Sequence, residues 1–320
     1  MRDRFQREID YIRISVTDKC NFRCRYCMPE EGVETIPHSE VLSFEEIVRV
    51  VSVLSELGIK KVKITGGEPL VRRDICTLIQ KIAKISGIED ITLTTNGFLL
   101  GEMAEQLKRA GIRTINVSVD TLNRREFADI CRRDGLDQVL DSIERAKNLG
   151  LEIRINTTVS EESNLEELFE LLEYFVNRDI PVRFIELMPI GCGHGSRVKN
   201  QDLQKMLKKR YPDLVRSNFS GNGPAVYYTF GKNKKVGFIS AVHNKFCESC
   251  NRIRLSCDGK IKPCLASSLS YDIKAVLRSG GDDKKLKESL EQAIFYKPLE
   301  HHFGKEKSGC IKNTMNQIGG

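Results

Sequence analysis

The 320-residue sequence predicts an α/β fold built on a parallel sheet, and three observations carry that prediction. From Tyr11 to about Leu187, short β-branched runs alternate with amphipathic helical stretches. The six runs with helices between them argue for parallel strands joined by right-handed crossovers. The polar and glycine-rich stretches come just after strands, which collects them at the C-terminal rim of the sheet. A doubly wound open sheet and a partial barrel both fit this rhythm. The shared rim favours the barrel, because βα barrels hold their sites there.

In chain order, strands are predicted over 11–16, 61–65, 91–94, 113–119, 151–158 and 182–187. Helices are predicted over 43–57, 75–85, 101–110, 136–149 and 165–176, where Leu, Ile and Val recur with the helical period. Ser43 followed by Glu46 reads as a capping box. Gly58, Gly111 and Gly150 stand where helices stop. The stretches at the rim are the first cysteine loop, Thr65-Gly-Gly-Glu-Pro, Thr94-Thr-Asn-Gly, Ser118-Val-Asp and Glu186-Leu-Met-Pro. After Pro189 the rhythm breaks. Gly191-Cys-Gly-His-Gly reads as a connection, 200–211 as a basic helix and Gly221-Asn-Gly-Pro as a turn. Strand-like pieces at 225–230, 235–239 and 252–256 and helices near 273–278 and 284–295 predict a small second domain. The division expected is 1–205 and 206–320.

Hydrophobic residues make up 40% and charged residues 30%, which suits a globular protein with a core of useful size. No apolar run approaches the roughly 18 residues that a membrane span needs. The charged start, Met-Arg-Asp-Arg-Phe-Gln-Arg-Glu, lacks a signal-peptide core, so a cytoplasmic location is expected. The net charge of +7 favours an anionic partner: a nucleotide, a nucleic acid or an acidic cluster.

Eleven cysteines is an odd number, and six of them fall into two tight groups, which argues for metal ligation over a disulfide scaffold. Cys20, Cys24 and Cys27 lie within eight residues, among Lys19, Arg23 and Arg25. Four thiolates would close a zinc or iron–sulfur site, whereas three leave a metal position open for chemistry. The second group is Cys247, Cys250 and Cys264; to hold structural zinc it would need Cys257 or the more distant His243. Arg252 and Arg254, two apart on a predicted strand, share a face, and two guanidiniums beside an open metal site suit a phosphate or another anion.

The first cysteine group with Tyr26 resembles the signature of radical S-adenosylmethionine (SAM) enzymes. Both groups together with Thr65-Gly-Gly-Glu-Pro-Leu, Asn251-Arg-Ile-Arg and the terminal glycines resemble the GTP 3′,8-cyclases, the family that opens molybdenum cofactor biosynthesis. The resemblance runs from about Tyr11 to Gly320. It implies a partial (βα)6 TIM-like barrel with a C-terminal α+β domain closing its open side. It implies two [4Fe-4S] clusters, one on Cys20, Cys24 and Cys27 and one on Cys247, Cys250 and Cys264. Tyr26, Gly67, Ser118 and Met188 match SAM-contacting positions. Arg13, Lys63, Thr94, Arg154, Arg252, Ile253 and Arg254 match positions that contact GTP. Lys63 stands where the family usually has Arg and Arg154 where it usually has Lys; the charge is kept and the guanidinium fork moves. Arg13, Gly319 and Gly320 match positions at the reacting centre, the glycines by way of a tail that enters the site. The chemistry implied is reductive cleavage of SAM, hydrogen abstraction from ribose C3′ and addition of the new radical to guanine C8. The implied partners are GTP, an electron donor of the flavodoxin or ferredoxin type, functional coupling to the cyclic pyranopterin monophosphate synthase, and optionally a second copy of the chain. No nucleic acid and no membrane are implied.

Several of these residues have plain structural readings on their own. Met188 before Pro189 reads as core packing, Asn116 and Ser118 as polar strand ends, and Gly319-Gly320 as a frayed terminus. His194 reads as a loop residue and His301-His302 as a surface pair. Cys76, Cys131, Cys192, Cys257 and Cys310 read as ordinary thiols. The competing functions are another two-cluster radical enzyme that acts on a peptide, whose second cluster would carry a full ligand set, and a zinc-containing nucleic-acid-binding module. The absence of Trp and of a basic–aromatic stripe argues against the second.

Overall fold

The computed structural model describes residues 1–193, 195, 198–219, 221, 223–301, 303, 315 and 319. His194, His302, Cys310 and Gly320 lie outside the described residues. The six expected strands form as β1 (Tyr11–Ser15), β2 (Lys61–Thr65), β3 (Asp90–Thr95), β4 (Thr114–Ser118), β5 (Glu152–Val159) and β6 (Val182–Glu186). They are parallel and lie side by side in chain order, β1 to β6, without the reversal that defines a doubly wound sheet. That order is the barrel's.

The helices between them are α1 (Phe44–Glu56), α2 (Ile75–Ala83), α3 (Leu100–Ala110), α4 (Arg124–Cys131), α5 (Leu136–Asn148) and α6 (Leu165–Val176). The capping box at Ser43 forms in both directions. Helix α4 is absent from the sequence prediction: it buries only Phe127, Ile130 and Cys131, a stripe too narrow to show a period, and starts on an Asn123 cap.

The strands after Pro189 build no sheet of their own. After α7 (Asn200–Arg210) come β7 (Val215–Arg216), β8 (Val226–Phe230), β9 (Lys234–Ile239), β10 (Arg252–Leu255), β11 (Lys260–Lys262) and β12 (Tyr271–Asp272). Strand β9 pairs in parallel with β6, and β10 pairs in parallel with β1. One sheet of 12 strands results, with the late strands covering both edges of the six-stranded barrel. An uncovered edge is an open hydrogen-bonding template, so this placement satisfies backbone that the barrel alone would expose. Helices α8 (Ile273–Arg278) and α9 (Asp283–Phe295) follow.

The strands largely alternate, with their polar side turned inward. Ile12, Ile14, Val62, Ile64, Leu93, Ile115, Val117, Ile253 and Leu255 are buried in the apolar core shared with the helices. Arg13, Lys63, Thr92, Asn116, Arg154 and Arg254 occupy the other face. A barrel of this type usually fills its interior with branched apolar side chains. This one is lined with polar and basic groups.

Candidate active site

The inward positions bring six basic side chains together. Arg13 lies level with Lys63 and Arg254 across the ladder, Tyr11 with Arg252, and Asn116 with Arg154. Arg183 on β6 donates to Asn116 Oδ1 and so faces the same space. Burial pushes the Lys63 ammonium well below its ordinary value, and Arg13, Arg183, Arg252 and Arg154 push it the same way. Burial likewise lowers Arg254, reinforced by Arg13 and Arg252. Cations packed this closely make a receptor for a polyanion. The Ile253 side chain turns the other way, into the apolar core, where it is 0% exposed.

One cysteine triad stands at each end of this space. Cys20, Cys24 and Cys27 follow β1 and sit at the C-terminal rim. Cys250 precedes β10, which runs parallel to β1, and Cys264 follows the antiparallel β11, so both lie at the opposite rim. Cys247 begins the short 3-10 turn Cys247–Ser249 just before them. Arg13, midway along β1, lies between the two rims.

The first triad is held from two sides. Arg23 and Arg25 donate their backbone N–H groups to Cys131 O and Ile130 O at the end of α4, each at 3.0 Å. On the other side, Gly67 donates to Thr17 O at 2.7 Å and Glu68 to Lys19 O at 2.8 Å. A Cβ on Gly67 would lie 2.4 Å from Lys19 O, so only glycine permits this approach. The Glu68 carboxylate accepts from Leu70 N, Thr95 Oγ1 and Asn96 N, and burial raises it to about 7. Asn96 Nδ2 in turn donates to Asn21 Oδ1 at 2.7 Å and reaches Cys20 Sγ at 4.0 Å. The Tyr26 hydroxyl is committed to Asp120 Oδ2 at 2.6 Å. Ser118 ends β4, Thr94 lies on β3, and Met188 follows β6, all partly exposed.

On the cysteine-loop side of the interior, Arg254 Nη1 donates to Gly319 O at 2.6 Å. A Cβ on Gly319 would meet Ser15 Cβ at 2.8 Å, so Gly319 lies against the C-terminal ends of β1 and β2. The frayed-end reading of Gly319 is therefore overturned. His301, expected on the surface, is buried, and its carbonyl accepts from Lys245. His243 pairs with Glu186 at 3.2 Å and does not complete the second triad. Cys131, read as an ordinary thiol, is buried beside Cys24, which together with burial raises its thiol far above the usual value.

Among the described residues, no three His, Cys, Asp or Glu side chains converge on a single metal ion. An iron–sulfur cluster takes its thiolates on separate irons and so holds them wider apart. The donor sets fit such a group: burial raises the Cys27 thiol far above its usual value, and Cys24 and Cys20 raise it further. Burial also raises Cys247, with Cys264 and Cys250 adding to the effect. Thiolates that oppose one another's ionisation are relieved by a cationic metal core. Glu68, Asn96 and Arg183 are the residues that sequence reasoning did not nominate. The first two lie inside quoted rim motifs, and Arg183 occupies an inward position of a predicted strand.

Residues 14–175 match the Radical SAM superfamily and residues 180–303 match Molybdenum Cofactor Synthesis C. The chain is 43% identical to the GTP 3′,8-cyclase of Desulforamulus reducens, covering 100% of both proteins. It is 42% identical to that of Clostridium perfringens, again covering 100% of both. Streptococcus suis SuiB bound to S-adenosylmethionine shares the fold with a TM-score of 0.61 at 17% identity, over 86% of this chain and 66% of that one. SuiB bound to its precursor peptide SuiA gives 0.63 at 16% identity, over 92% and 66%.

Proposed function

The chain belongs to the radical SAM superfamily and, within it, to the GTP 3′,8-cyclases, and from that membership we propose its reaction and the residues that carry it. GTP is converted to (8S)-3′,8-cyclo-7,8-dihydroguanosine 5′-triphosphate, the first step of molybdenum cofactor biosynthesis. The observation that supports this best is the cationic barrel interior with a cysteine triad at each end. Cys20, Cys24 and Cys27 would hold one [4Fe-4S] cluster with SAM beside Tyr26, Gly67, Ser118 and Met188. Cys247, Cys250 and Cys264 would hold the other, toward the guanine. When bound, the first cluster and SAM supply the one-electron chemistry that breaks the unactivated C–H bond at C3′.

The protein's own share is binding and confinement. Arg13, Lys63, Arg154, Arg183, Arg252 and Arg254 draw the triphosphate inside and fix its direction. Thr94 lines the same wall. Gly319, held on Arg254, narrows the space beside Arg13 and limits water at the reacting carbon. The same proposal includes a cytoplasmic location, an electron donor of the flavodoxin or ferredoxin type, coupling to the cyclic pyranopterin monophosphate synthase, and assembly as a homodimer. A peptide substrate is not favoured, since SuiB shares only the fold.

The test is anaerobic reconstitution followed by incubation with GTP, SAM and a strong reductant. About eight irons per chain are expected, as two four-iron clusters, with 5′-deoxyadenosine formed only when GTP is present. Zinc without iron would reject the radical reading. Cleavage indifferent to GTP would reject the substrate.

A further inference from the structure

We infer that Lys297 is the positioning residue and resident counter-charge of the second cysteine triad, an inference that rests on reading Cys247, Cys250 and Cys264 as cluster ligands. Lys297 follows the Tyr296 cap of α9 and is 2% exposed. An ammonium has three N–H donors and no acceptor, and burying it without partners is strongly unfavourable. Here two backbone carbonyls accept from it, Arg252 O at 2.9 Å and Pro263 O at 2.6 Å. Its positive charge acts on Cys250. Arg252 comes two residues after Cys250, and Pro263 immediately precedes Cys264. One side chain therefore ties together the two segments that carry these cysteines, and it brings a positive charge to a ligand sulfur.

The neighbouring cation is different. Arg7 donates to Cys247 O at 2.8 Å and to the carbonyls of Pro298 and Leu299. Its charge is matched by Asp3 at 2.6 Å. Among the described residues Lys297 has no such carboxylate, so its charge acts on the sulfur. A positive charge beside a cluster ligand favours the reduced, more negative state, and so raises the reduction potential.

The test uses full-length, anaerobically reconstituted protein, with each cluster followed by electron paramagnetic resonance during a redox titration and the first cluster as internal reference. In Lys297→Met, which removes donors and charge, the reduction equilibrium of the second cluster is expected to fall at least tenfold, ~59 mV for one electron, or that cluster is lost. The first cluster should not move. Lys297→Gln keeps donors but not the charge, and should hold both clusters with the same downward shift. Unchanged iron and potential in both variants would overturn the inference. So would loss of the first cluster together with the second, in either variant. A single cluster in the unsubstituted protein would overturn the ligand assignment itself, and this inference with it.

Discussion

Glu68 is buried at the turn that braces the first cysteine triad, and its ionisation is coupled to folding. Burial lifts its carboxyl from 4.5 to about 7, against the pull of three donors. Between these values the folded chain holds a proton that the unfolded chain has released. The associated stability is complete below about pH 4.5 and declines as pH rises toward 7. From pH 5 to 7 the loss is about 2 kcal/mol. Urea unfolding of the metal-free protein should show wild type losing that much relative to Glu68→Gln over this interval. Parallel pH profiles would place the proton elsewhere. Glu68 also shows how far residues can be read from sequence. Its motif was visible, as were the cysteines and the basic strand positions. Its role as an acceptor for Leu70, Thr95 and Asn96 was not, because those donors come from two different rim loops. Arg183 was legible in principle, since Val182-Arg-Phe sets a basic residue between two apolar ones. The following Ile185 and Glu186 break the alternation and hide its face.

Strand β9 does more at the level of the element than lengthen the sheet. Its Gly237 pairs with Arg183, and a Cβ there would lie 2.9 Å from both Arg183 Cγ and Tyr227 Cε1. The strand thus gives up a side chain so that a guanidinium can turn into the barrel. Gly237→Ala should displace Arg183, at a stability cost of about 1–3 kcal/mol, and weaken GTP binding about tenfold, ~1.4 kcal/mol. Both clusters should be retained. Calorimetric titration with GTP on reconstituted protein measures this, and undiminished affinity would mean that Arg183 is not needed for the triphosphate. The long elements were readable because each buries a wide periodic face. Those missed, α4, β7, β11 and β12, are short or narrow and are set by their neighbours. Helix α4 is the consequential omission: its last two carbonyls hold the backbone on either side of Cys24.

The molecule as a whole forms one sheet, although its sequence rhythm breaks after Pro189 and predicts a division at residue 205. Without the later chain, the β1 edge would lose β10 and the β6 edge would lose β9. Phe184 would lose Phe238, whose ring lies 5.9 Å away, centroid to centroid. The chain's start would lose its anchors too: Arg4 N binds Phe295 O, and Arg7 binds the carbonyls of Cys247, Pro298 and Leu299. Two bare edges beside apolar side chains favour association over folding. A fragment of residues 1–205 is therefore expected to aggregate or to lack a cooperative transition. The metal-free full chain should melt in a single transition, with equal calorimetric and van't Hoff enthalpies. Size-exclusion chromatography and scanning calorimetry of the two proteins decide it. A monomeric fragment with a sharp melt would show that the barrel stands without its added strands, and that the late segment is a lid rather than part of the wall.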